Sequence, residues 1–160
     1  MKFETIKENG FEYIEAGEGP VVVLLHGLMG GLDNFEGIIE DLPNHGFKVV
    51  GPLLPLFEKP MLKTTVKHFT KYVHEFLEFK GFEKVTLLGN SLGGHISLVF
   101  AKEYPEMVES LVLTGSSGLY ENAMGDSFPR RGDYDYIQTK TEEVFYDPKI
   151  ATKKLVDHVF

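Results

Sequence analysis

The chain has 160 residues, 42% of them hydrophobic, including 13 phenylalanines and 7 tyrosines. That is enough apolar mass for one globular domain with its own core and too much for a disordered chain. A net charge of −8 argues against nucleic acid as a partner, and the absence of cysteine excludes disulfides, thiol catalysis and cysteine-bound metal. Met1-Lys2-Phe3-Glu4-Thr5 has no apolar signal region, and no stretch approaches a membrane span. The expectation is therefore a cytoplasmic protein with no membrane partner.

In chain order, residues 2–6 and 11–15 alternate in polarity around Glu8-Asn9-Gly10, which predicts a hairpin. Val21-Val22-Val23-Leu24-Leu25 reads as a strand buried on both faces, and it runs into His26-Gly27 and a glycine-bearing loop. Asp33 and Glu36 have capping-box spacing before a helix whose inner face is Phe35, Ile38, Ile39 and Leu42. Residues 43–46 end that helix. Residues 47–54 form a strand broken by Gly51, Pro52 and Pro55. Residues 65–80 form a helix with Val66, Phe69, Val73, Phe76 and Leu77 inward and Gly81 as its C′ residue. A strand at 85–88, a helix at 92–104 and a strand at 111–115 follow.

This alternation predicts an α/β fold, a mainly parallel sheet with helices on both faces and ligands at the carboxyl ends of its strands. After Gly115 the texture changes. Residues 121–138 are polar and glycine-rich, and helices are predicted at 141–145 and 148–160.

Gly89-Asn90-Ser91-Leu92-Gly93 joins the strand at 85–88 to the helix that follows. Gly-x-Ser-x-Gly in that setting is the nucleophile-elbow pattern, in which a tight turn holds a serine hydroxyl out beside a helix N-terminus. Glycines two before and two after give the crowded turn room. With the His26-Gly27 loop, the elbow makes this chain resemble the α/β-hydrolase fold family, in the serine-nucleophile branch that holds carboxylesterases and carbon–carbon-bond hydrolases.

The resemblance implies Ser91 as nucleophile and the backbone N–H groups of Leu28 and Leu92 as oxyanion donors. It implies structural roles at the site for His26, Gly27, Gly89, Asn90 and Gly93, with His26 holding the oxyanion loop rather than acting as the base. It implies residues 1–118 as the N-terminal part of the hydrolase core, and residues 119–160 as the start of a helical cap. The chain would then be truncated after the sixth strand and the start of that cap, a fragment of a longer enzyme and inactive by itself. Serine at the elbow sets it apart from haloalkane dehalogenases and typical epoxide hydrolases, which carry aspartate there. A serine-type haloperoxidase, an acyltransferase or a non-catalytic module binding a small ligand remain alternatives on the same framework.

The acid and the base do not appear in this chain. His95 follows Ser91 within the same helix, and His158 lies near the end of the chain. Asp126, Asp133, Asp135, Asp147 and Asp157 read as surface or helix-cap residues, with Asp147 before Pro148 an N-cap by position. No metal-ligand cluster is visible, since His68 and His74 are out of helical phase. No phosphate loop is visible either, so no cofactor is expected. Lys63, Lys67 and Lys71 mark a solvated helix face, and Arg131-Gly132-Asp133 is a coincidental tripeptide. The expected partner is a small-molecule substrate, with a homo-oligomer possible through the last strand's edge.

Overall fold

The computed structural model describes residues 4–28, 31–56, 65–119, 133–143 and 145–159. Lys63, Asp126, Arg131 and Gly132 lie outside the described residues. The chain separates into two compact units, Met1–Glu121 and Asn122–Phe160.

The first unit is built on a six-stranded sheet in the order β1-β2-β4-β3-β5-β6. Strands β1 (Ile6–Glu8) and β2 (Phe11–Ala16) form an antiparallel hairpin with Glu8 opposite Phe11. Asn9 and Gly10 both take positive φ, 48° and 81°, as a two-residue hairpin turn requires. Strand β2 pairs antiparallel with β4 (Lys48–Pro52). From there β4, β3 (Val21–Leu25), β5 (Val85–Asn90) and β6 (Val108–Thr114) run parallel.

Strand β3 shows why the sheet is covered on both faces. Val23 and Leu25 enter a core with Phe69, Val73, Phe76 and Leu77 of α2 (Val66–Lys80) and with Ile96 and Phe100 of α3 (Leu92–Glu103). Val22 and Leu24 point the other way, into a core with Leu32, Phe35 and Ile39 of the α1 region (α1, Glu36–Asp41). A strand alternates its side chains between faces, so an unbroken apolar run is what two cores demand. Full burial of each such side chain contributes about 1.5–3 kcal/mol.

Helix α2 ends at Gly81 as its sequence predicts but starts one residue later than expected, at Val66, with Thr65 as its N-cap. Thr65 Oγ1 accepts the His68 N–H at 3.3 Å, and Gly81 closes the helix in the left-handed region at φ 67°. The predicted capping box at α1 does not form. Asp33 lies inside a 3-10 turn, Leu32–Phe35, and Phe35 is the residue before α1, with no side-chain cap bond. The chain is already helical when it reaches Asp33, so its carboxylate has no fresh helix start to cap. Strand β6 begins three residues earlier than expected, at Val108: Val108 and Ser110 pair with Val85 and Thr86 of β5, although exposed Glu109 and Ser110 interrupt the apolar pattern.

A polar cluster ties the hairpin to the first core. Glu15 of β2 accepts from Lys48 at 2.6 Å and from Lys80 at 2.5 Å. Lys80, in the last turn of α2, also reaches the Tyr13 hydroxyl at 3.1 Å and lies 4.6 Å from the centre of that ring.

In the second unit, α4 (Tyr134–Glu143) starts earlier than the predicted helix at 141–145, because Asp133 caps it by accepting the Tyr136 N–H at 3.1 Å. Asp147 caps a 3-10 turn, Pro148–Ile150, and α5 (Lys153–Val159) follows. Tyr134 donates to Asp157 at 2.6 Å, joining α4 to α5. No helix among the described residues is long and apolar enough to cross a membrane.

Candidate active site

The junction of β5 and α3 puts Ser91 at φ 52°, ψ −116°. Among the described residues only Asn9, in the hairpin turn, shares a positive φ without being glycine. Such a conformation costs a residue with a Cβ about 1–3 kcal/mol and persists only where the surroundings enforce it. The side chain is exposed.

The glycines of the elbow are steric requirements. A Cβ on Gly89 would lie 2.5 Å from the Gly93 carbonyl oxygen, and one on Gly93 would overlap the Leu25 carbonyl at the end of β3. Gly27 brings the loop after β3 against the serine, since a Cβ there would sit 3.1 Å from Ser91 Cβ. The elbow and the His26-Gly27 loop are thereby adjacent.

His26 is buried, and both its ring nitrogens are engaged. Nε2 accepts the Leu54 N–H at 3.0 Å, so Nδ1 carries the proton and donates to the Gly27 carbonyl at 2.9 Å. Burial holds its pKa below the ordinary 6.5, against the opposing pull of the Gly27 carbonyl. This imidazole is neutral and pins the loop after β3 to the chain leaving β4. Leu54 is 28 residues from His26, and no local signal announces the pair.

Leu92 is the first residue of α3, so its N–H has no acceptor within the helix. Leu28 follows Gly27, and its side chain is 61% exposed. Asn90 donates its side-chain amide to the Thr114 carbonyl at 3.0 Å and to Thr114 Oγ1 at 3.2 Å.

Among the described residues no histidine or carboxylate is hydrogen-bonded to Ser91 Oγ. The ring of His95 packs on the backbone of Gly118, where a Cβ would fall 2.5 Å from Cδ2. His74 stacks on Tyr104 at 4.0 Å and pairs with Glu78 at 3.3 Å. Asp133 and Asp147 cap their turns, and Asp157 takes Tyr134 and Lys153. His158 lies on α5. No group of three or more metal-binding side chains occurs among the described residues.

Comparison with known proteins shows the fold family. A family model of the alpha/beta hydrolase fold matches residues 20–149, and the chain belongs to that family. A 2-hydroxy-6-oxononadienedioate/2-hydroxy-6-oxononatrienedioate hydrolase of Comamonas testosteroni is 34% identical across 99% of this chain and 58% of its own length. A 2-hydroxy-6-oxo-6-phenylhexa-2,4-dienoate hydrolase of Burkholderia cepacia is 34% identical over 74% of this chain and 46% of its own. Among solved structures, an alpha/beta hydrolase enzyme from the sediment metagenome of the lagoon of Mar Chica, Morocco, is 55% identical. It superposes with a TM-score of 0.70 over 74% of this chain and 54% of that one. An epoxide hydrolase of Vigna radiata superposes with a TM-score of 0.62 at 25% identity, over 70% of this chain and 39% of that one. The chain thus spans about half the length of the relatives it matches.

Proposed function

We propose that this chain carries the nucleophile and the oxyanion hole of a serine hydrolase acting on a small carbonyl compound. The observation that carries the reading is Ser91, exposed at a strained φ of 52° between β5 and α3. Ser91 Oγ attacks the carbonyl carbon, and its proton passes to a base. The carbonyl oxygen gains the negative charge and takes the N–H groups of Leu92 and Leu28. The leaving group departs protonated, and water then releases the acyl group from Ser91. His26 holds the loop that carries Leu28, and its two occupied nitrogens leave it no part in proton transfer.

The base and its orienting carboxylate, on this reading, come from outside these 160 residues, as the greater length of the relatives supports. The second unit is the start of a helical cap. The curated relatives are named for hydrolysis of 2-hydroxy-6-oxo dienoates, which favours a carbon–carbon-bond substrate of that class over a simple ester. Serine rather than aspartate at the elbow argues against epoxide opening.

The test is fluorophosphonate labelling of the protein as it occurs in the cell, followed by mass analysis of the peptide that carries residue 91. A stoichiometric adduct on Ser91, absent from Ser91→Ala, is the expected result. Turnover of a 2-hydroxy-6-oxo dienoate against a p-nitrophenyl ester then separates the two substrate classes. Ligand binding without any adduct would replace the reading by a non-catalytic module.

A further inference from the structure

The strain at Ser91 needs more than space to persist; something must hold the peptides on both sides of it. Most of that hold comes from neither β5 nor α3. It comes from the last residue of β6, Thr114, and the turn that follows it, residues 115–118. The Ser91 N–H donates to the Thr114 carbonyl at 3.2 Å, one step past the last ladder pair of β5 and β6. Thr114 Oγ1 reaches back to the Gly89 carbonyl at 3.4 Å while accepting from Asn90.

On the other side of the serine, the Ser91 carbonyl receives the His95 N–H at 3.2 Å, the ordinary first bond of α3. It also receives two bonds that belong to no helix or strand, from the Ser117 N–H at 3.2 Å and from Ser117 Oγ at 3.4 Å. A carbonyl oxygen has two lone pairs, so three donors exceed what helix formation asks of it. The turn is in turn docked on the first turn of α3. A Cβ on Gly94 would meet Ser116 Cβ at 2.6 Å, and Gly118, at φ 83°, lies against His95.

The Ser91 carbonyl and the Leu92 N–H belong to one planar trans peptide and point in opposite directions. Fixing the first fixes the second. We propose that Ser117 is a positioning residue: by gripping the Ser91 carbonyl it aims the Leu92 N–H at the oxygen that becomes negative in the transition state. This rests on the reading of Ser91 and Leu92 as nucleophile and oxyanion donor. Ser117 touches no reacting atom, and its effect passes through the peptide between residues 91 and 92. An aimed donor acts mainly on the transition state, so its loss lowers the rate of the chemical step and leaves ground-state binding alone.

The experiment compares wild type, Ser117→Ala and Ser117→Thr in the protein as it occurs in the cell. It measures the maximal rate and the half-saturating concentration for inactivation by a fluorophosphonate, together with the melting temperature. Ser117→Ala should lower the maximal rate about 3- to 10-fold, less than outright deletion of an oxyanion donor. Half-saturation should stay within about twofold. Ser117→Thr, which keeps the hydroxyl, should restore the rate, and all three should melt within a few degrees of one another. Unchanged inactivation in Ser117→Ala would overturn the proposal, as would a change confined to half-saturation or to melting, or equal losses in both variants. If wild type is not labelled at all, the reading of Ser91 itself fails and takes this proposal with it. Labelled wild type with an indifferent Ser117 removes the positioning role alone.

Discussion

The Cα of Gly93 stands so close to the carbonyl of Leu25 that no side chain fits between them. The contact joins the first turn of α3 to the carboxyl end of β3, which leads into the His26-Gly27 loop. Both partners are main chain, so neither can rotate away.

Gly93→Ala should therefore cost about 3 kcal/mol, the upper end of the usual penalty for forcing a methyl group into a packed site. Fluorophosphonate labelling should fall with it, because any relief moves α3 away from the loop. Denaturant unfolding with parallel labelling checks both. A Gly93→Ala variant as stable and as reactive as wild type would show that the contact has room to spare.

Ser91→Gly separates strain from chemistry. Glycine populates positive φ readily, so this variant should gain about 1 kcal/mol of stability. It should also lose all fluorophosphonate labelling. A gain in stability at the price of reactivity is expected where a site holds strain for function. Lower stability in the Ser91→Gly variant would count against strain at this position.

The neutral His26 makes the first unit sensitive to mild acid. Its folded pKa lies below 6.5, so the unfolded chain binds the proton more readily. The stability it contributes is complete above about 6.5 and is lost as pH falls from there toward the folded pKa. Unfolding followed from pH 7 to pH 5 should show falling stability in wild type and a flatter profile in His26→Gln. Parallel profiles would remove His26 as the cause.

Glu15 governs the more acidic range. Burial pushes its carboxyl up, but the hydrogen bonds from Lys48 and Lys80 outweigh burial and hold it below the ordinary 4.5. Its contribution is present above about 4.5 and fades as pH falls through the lower folded value. Lys80 is its complement: burial lowers its pKa, while the bonds to Glu15 and Tyr13 raise it past 10.5. That share of stability is full below 10.5 and is lost as pH rises through the folded value. Glu15→Gln should cost about 1–3 kcal/mol at neutral pH, because two partly buried ammonium groups lose their counter-charge. It should also flatten the profile at both ends, as thermal unfolding at a series of pH values would show.

Legibility in the sequence followed the range of the interactions. The hairpin turn at Asn9-Gly10, strand β3, helix α2 with its end at Gly81, and the elbow itself all obey rules that act within a few residues. The start of β6 is not legible in the sequence, because exposed Glu109 and Ser110 carry no apolar pattern. The second ends of the bonds that hold the site were hidden for another reason. Leu54 lies 28 residues from His26, Lys80 lies 65 from Glu15, and Ser117 lies 26 from Ser91. Such pairs meet only after the sheet has formed, and nothing about a leucine N–H or a lone serine marks it beforehand. The capping box failed because its spacing was met inside a turn that was already helical.

The bond from the Leu54 N–H to His26 also bears on how this chain can change length over time. It lies just after Pro52, the last residue of β4, and so fixes the count of residues between that strand and the site. An extra residue there would pull the N–H off the imidazole and release the loop beside Ser91. The turn at Asn9-Gly10 carries no such tether, and a Cβ on Gly10 would meet nothing within 4 Å. Natural insertions and engineered tags should accumulate at the hairpin tip and be absent from residues 53–54, although both stretches adjoin the ends of strands in the same sheet.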